Sequence, residues 1–135
     1  PVTLFSAGTA NVLDAMRHSG IRRLVAVTGI GAGDTRGHGG FFYDRVLTPL
    51  GLKTIYADKD RQEALIHEAG DRDDIDWTVV RPGFLTDEPA RMRYRVVSDA
   101  SGLTCGEITR ADVGHFIIGA IESNRYLNQT PLLSE

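Results

Sequence analysis

The stretch Trp77-Thr78-Val79-Val80-Arg81-Pro82-Gly83 constrains this chain more than any other. Trp, Thr and Val suit a pleated, half-buried surface, so residues 77–80 predict a strand. Pro82 has no N–H for a ladder, and pairing is expected to stop there. Gly83 then allows a turn or a close backbone approach. In open α/β sheets, ligands sit just beyond the carboxyl ends of the strands. A strand that ends this way is a candidate ligand wall, although these residues taken alone fit an ordinary strand-to-loop exit better.

The flanking pattern alternates helix and strand. Thr9 is placed to cap a helix over residues 10–19, with Val12, Leu13, Ala15 and Met16 on one face and Gly20 ending it. Leu24 to Thr28 is a short apolar run, the pattern of a strand covered on both faces. The glycine-rich run from Gly29 to Gly40 predicts a long loop, and a short helix follows over residues 41–50. A longer helix is expected over residues 54–69, with Ile55, Leu65, Ile66 and Ala69 inward and Gly70 ending it. Residues 94–97 and 129–133 are candidate strands. Thr109-Arg110-Ala111-Asp112 has the form of a capping box with Asp in place of Glu. The helix behind it carries Val113, Phe116, Ile117, Ala120 and Ile121 at helical spacing. This order predicts an α/β fold, a parallel sheet with flanking helices. Only two strands are clearly parallel, and their edges need neighbours that the pattern does not clearly supply. The sheet is therefore expected to be incomplete, lacking its first strands.

Composition narrows the function classes. The 135 residues fit a single domain, 1–135, and 41% apolar with 24% charged residues is the balance of a soluble globular protein. A net charge of -3 gives no electrostatic case for nucleic acid. No apolar run approaches the ~20 residues that span a bilayer. The single Cys105 and the absence of a basic leader fit a cytoplasmic location. The histidines are scattered without metal-ligand spacing, so no metal is expected. Gly29-Ile30-Gly31-Ala32-Gly33 is not a dinucleotide fingerprint, because Asp34 stands where the last Gly is needed. Tyr56 and Lys59 lie three apart and share a helix face. A Lys beside a ribose donates to its hydroxyls, and its charge favours ionisation of a nearby phenol. Spacing alone also fits a solvent-facing Lys.

Taken together, these motifs resemble the atypical short-chain dehydrogenase/reductases of the NmrA-like, NAD(P)H-binding type. The resemblance rests on Ile21 to Thr28, on Lys59-x-x-x-Glu63-x-Leu65, on Asp76 to Gly83 and on Ile108 to Gly114. It implies a Rossmann-like domain, a cofactor that is NADP or NAD with NADP ahead, and an oxidoreductase. The implied reaction passes hydride from NAD(P)H to a small planar acceptor such as a flavin or a quinone. By the resemblance Lys59 holds the nicotinamide ribose, and Thr28 and Gly29 line the nicotinamide side. Arg81, Pro82, Gly83 and Phe84 form the wall, and Phe41, Phe42 and Tyr43 offer an aromatic surface to the substrate. Lys59, Thr28 and Tyr56 are the candidate catalytic residues.

The chain also departs from the family pattern. The Gly-rich pyrophosphate loop that follows the family's first strand has no counterpart here. The chain is accordingly read as the C-terminal portion of the domain, with the N-terminal half absent. Weak or no NADPH binding by the chain as it stands is then expected, with pairing to the missing segment or to a second copy of the chain. A dinucleotide sensor without catalysis, or a truncated structural remnant, are the alternatives to a reductase.

Overall fold

The computed structural model describes residues 2–30, 32, 52–99, 101 and 106–135. The centre of the molecule is the strand β2 (Asp76–Pro82), which pairs in parallel with β1 (Arg23–Val27) on one side and with β6 (Leu132–Ser134) on the other. β4 (Arg95–Val97) closes the far side, antiparallel to β6, giving the order β1-β2-β6-β4. Beyond the end of β2, β3 (Phe84–Thr86) and β5 (Glu107–Thr109) form a separate parallel pair. The helices are α1 (Leu4–Ser19), α2 (Lys53–Asp71) and α3 (Arg110–Ser123).

Alternation along the strands sorts the core into two layers. Trp77 and Val79 pack with Leu13, Met16, Ile66 and Ala69 of α1 and α2, and Leu24 and Ala26 join them from β1. Val80 points the other way, into a cluster with Val113, Phe116 and Ala120 of α3, where Val25 and Val27 join it. The result is helix, sheet, helix, as the alternating pattern predicts.

The sheet itself corrects the sequence reading. An incomplete sheet lacking its first strands was expected, but the described residues hold six strands, with β6 and β4 lying beside the parallel pair. β4 falls within the candidate strand 94–97 and β6 overlaps the candidate at 129–133, but each spans three residues, too short for the pattern to show which strand it pairs with. β1 is covered on both faces as expected, by Leu24 and Ala26 on one side and Val25 and Val27 on the other, though each residue is only half-buried. Pairing does not simply stop at Pro82 either. On the β6 side the ladder continues, with Arg81 N–H donating to Pro131 C=O and Gly83 N–H to Leu133 C=O. Only on the β1 side does the register end, at Val27 opposite Val80.

α1 begins at Leu4, well before the expected start, and Thr9 lies in its interior. The side chain of Thr3 makes no cap bond. Instead the fully buried Asp58 of α2 accepts from Phe5 N–H at 2.8 Å, from Ser6 N–H at 3.3 Å and from Ser6 Oγ. One side chain thus satisfies donors that a local cap ordinarily takes, and a local motif search has no view of it. Gly20, in the left-handed region at φ 73°, ends α1 as expected. Gly70 does not end α2, which runs one residue further. It is there for packing: a Cβ on Gly70 would stand 2.3 Å from Trp77 Nε1. The indole is also stacked on His67, with 4.5 Å between ring centroids.

Two outcomes follow from this packing. Gly70→Ala gains helix propensity of about 1 kcal/mol but drives a methyl into a rigid ring, which costs about 1–3 kcal/mol. Net destabilisation with altered Trp77 fluorescence on urea titration is the expected result. For Asp58, burial pushes the carboxyl up, but the bonds from Ser6 Oγ, Phe5 N–H and Ser6 N–H, with Arg61 nearby, outweigh it and hold the group below its ordinary value. A depressed folded value stabilises fully above the unfolded carboxylate value of about 3.9, and that stability is lost as pH falls through the folded value. Asp58→Asn should therefore lower Tm at neutral pH, and the gap to the parent protein should close as the pH is taken into the acid range.

Candidate functional site

The carboxyl ends of β1 and β2 open onto a cleft of about 290 Å³. Its floor is the turn after β1, Thr28-Gly29-Ile30, and one wall is the exit of β2, from Pro82 to Leu85. The start of α2 makes the opposite wall with Leu52, Ile55, Tyr56 and Lys59. The volume sits at the lower edge of the ~300–1,000 Å³ usual for ligand pockets.

Lys59 Nζ reaches across the cleft floor and donates to Thr28 C=O. The amine lies 5.3 Å from the ring centroids of both Phe5 and Tyr56. Burial pushes its pKa below the ordinary lysine value, and the charge of Glu63 partly opposes this. Gly29 makes the close approach possible. Its φ of +154° is a conformation that side-chain-bearing residues rarely adopt. A Cβ there would meet Tyr56 Oη at 3.1 Å and Lys59 Nζ and Pro82 C=O at 3.8 Å. The missing side chain keeps the space between these groups open.

Beneath the floor lies a buried ionic lock. Arg81 and Glu63, each 3% exposed, form a fork in which Arg81 Nε donates to Glu63 Oε1 at 3.1 Å and an Arg81 Nη to Glu63 Oε2 at 2.6 Å. Thr28 Oγ1 donates to the same carboxylate at 2.6 Å. Farther along, Thr109 caps α3 as expected, its Oγ1 accepting from Asp112 N–H, but the box is not closed through the Thr109 N–H: the Asp112 carboxylate accepts from the Thr109 hydroxyl instead. The Asp112 carboxylate also accepts from Arg91 and Met92 N–H, both at 3.0 Å, which ties down the segment leaving β3.

Of the residues singled out by sequence, Thr28, Gly29, Tyr56, Lys59, Pro82, Gly83 and Phe84 all line this cleft. The guanidinium of Arg81 is not on the lining but underneath it, held by Glu63. The Thr28 hydroxyl is likewise turned onto Glu63, so what this residue presents to Lys59 is its carbonyl. Phe41, Phe42 and Tyr43 lie outside the described residues. Sequence reasoning missed Phe5, Ile30, Leu52, Ile55 and Leu85, and it gave Glu63 no role. The four-residue step from Lys59 to Glu63, one helix turn, was the signal that could have found it.

The sequence profile of a family described as NAD(P)H-binding matches residues 3–124. That match runs from the start of α1 to the residue after α3, so the family's domain takes in nearly the whole given chain, which corrects the sequence reading that counted it as a fragment of that domain. Similar solved structures include the anaerobillin reductase ChuY of Escherichia coli O157:H7, at TM-score 0.82 and 21% identity, covering 99% of this chain and 60% of that one. The oxidoreductase ylbE of Lactococcus lactis aligns at TM-score 0.75 and 18% identity, over 95% of this chain and 52% of that one. A short-chain dehydrogenase/reductase of Veillonella parvula in complex with NADP aligns at 0.72 and 17%, over 96% and 58%. The chain thus spans between half and two thirds of the length of these structures, and the likeness is one of Rossmann-type fold. Among the described residues, no helix is long and apolar enough to cross a membrane.

The ionic lock carries its own expected outcome. Glu63→Ala strips the carboxylate from a buried guanidinium and should cost about 3–5 kcal/mol on urea denaturation. A loss typical of a surface pair, below about 1 kcal/mol, would show that the lock is solvated in solution.

Proposed function

Because the chain belongs to the NAD(P)H-binding family, we propose that it is an oxidoreductase that seats the nicotinamide end of NAD(P)H in the cleft between β1, β2 and α2. The observation that supports this most is the Lys59 ammonium pinned over a glycine floor at the carboxyl edge of a parallel sheet. Lys59 would hold the ribose hydroxyls with the N–H donors not engaged by Thr28 C=O. Gly29 admits the ring to the backbone, and Pro82, Gly83 and Phe84 exclude water from its far side. Tyr56, on the same helix face as Lys59, offers a hydroxyl to the reacting region. Phe41, Phe42 and Tyr43 keep their assignment as an aromatic surface for the acceptor.

When bound, NAD(P)H supplies a hydride, becoming NAD(P)⁺, and the acceptor is a small planar molecule of flavin or quinone type that takes its balancing proton from Tyr56 or water. The protein contributes orientation and electrostatics. One observation favours a second reading, a dinucleotide sensor without turnover: the Thr28 hydroxyl donates to Glu63 and is not available as a donor to the acceptor.

Fluorescence titration with NADPH tests the site. Binding is expected, and Lys59→Ala should weaken it about ten- to a hundredfold, the range for a hydrogen bond to a charged group. Unchanged affinity would remove Lys59 from the site. NADPH oxidation with flavin and quinone acceptors separates reductase from sensor, since binding without turnover would leave the sensor.

A further inference from the structure

The β1–β2 ladder is missing one bond, at a position that matters. Thr28 N–H donates to Val80 C=O at 2.9 Å, and Ile30 N–H donates to Pro82 C=O at 3.0 Å. In a parallel ladder, a residue whose N–H meets the carbonyl of one partner offers its own carbonyl to the N–H two residues farther along. The Thr28 carbonyl is therefore due an N–H from position 82. Proline has none. The register ends at Val27 opposite Val80 for this reason, and Thr28, 3% exposed, is left with a carbonyl that the sheet does not satisfy. Lys59 Nζ fills that place.

We propose that Pro82 is a positioning residue for Lys59: by withholding the ladder donor, it turns Thr28 C=O into a dedicated acceptor that fixes the amine at the cleft floor. The surroundings leave the carbonyl little freedom to do otherwise. The Thr28 side chain is bonded to Glu63, which Arg81 holds in turn. The Thr28 N–H is bound to Val80, so the peptide on the N-terminal side of the residue is fixed as well. An amine anchored this way sits between the Phe5 and Tyr56 rings with its other N–H donors left for a ligand. The absent hydrogen at position 82 thus acts through Lys59, one helix away. Pro82 also lines the cleft, and the two roles are separable by experiment.

The test is a through-hydrogen-bond NMR coupling between Lys59 Nζ and the Thr28 carbonyl carbon. It is present in the parent protein on this proposal. Pro82→Ala restores an N–H. The Lys59 coupling should disappear, and the new amide at position 82 should couple to Thr28 instead, exchanging about a hundredfold more slowly than a free amide. Semisynthetic Pro82→pipecolic acid and Pro82→lactic acid both lack the N–H, the second without a ring, and both should keep the Lys59 coupling. Retention of that coupling in Pro82→Ala, or its loss in the N–H-free variants, would overturn the proposal. Should Pro82→Ala not fold, the lactic acid variant decides alone, because it removes the ring without adding a donor. The ligand arm rests on the nicotinamide reading: NADPH affinity should fall about tenfold in Pro82→Ala and recover in the lactic acid variant. Absence of NADPH binding in every variant would sink that reading while leaving the coupling result to judge Pro82.

Discussion

The Glu63 carboxylate is the group on which the rest of this structure depends. It is buried on α2 and takes hydrogen bonds from Arg81 at the end of β2 and from Thr28 just after β1. A buried charge is tolerated only when its partners are fixed and its lone pairs are filled. Here the partners come from both central strands, so satisfying the charge sets the helix against the sheet. Hydrophobic contacts in the two core layers are less particular, since apolar packing tolerates small slides. The ionic lock does not, and the cleft above it inherits its precision.

The cleft is defined as much by missing atoms as by those present. Gly29 lacks the Cβ that would fill the floor, and Gly70 lacks the one that would displace the Trp77 ring. Pro82 lacks a hydrogen. Each deletion lets a larger neighbour approach: a phenol and an amine at Gly29, an indole at Gly70. The reactive-looking side chains are few, and their placement relies on these small vacancies in the backbone.

Much of the fold could be read from the chain, and what could not has physical causes. Val79 and Val80 announce β2, Gly20 ends α1, and Thr109 with Asp112 caps α3, because each signal is local. Asp58 escaped because the helix it caps is remote in sequence. β4 and β6 were legible as candidate strands but not as neighbours of β2, because three residues carry too little pattern to fix their pairing, and so the sheet looked unfinished. In the site, Lys59, Tyr56 and the β2 exit were legible from spacing and from the family resemblance. Arg81 was legible as important but not as buried, since sequence does not say that its partner Glu63 lies beneath the floor. Ile55 and Leu85 look like ordinary core residues and take their meaning only from where α2 and β3 set them.

Asp58 and Lys59 are neighbours on α2, yet they face different tasks. Asp58 grips the first turn of α1 through Phe5 and Ser6, and Lys59 lies against the ring of that same Phe5. The opening turn of α1 and the amine at the cleft are therefore mechanically continuous, joined by two consecutive residues and one phenyl ring. A helix that by its position looks like outer cladding is in this way a bearing surface for the site, and its alignment and that of the amine are a single adjustment.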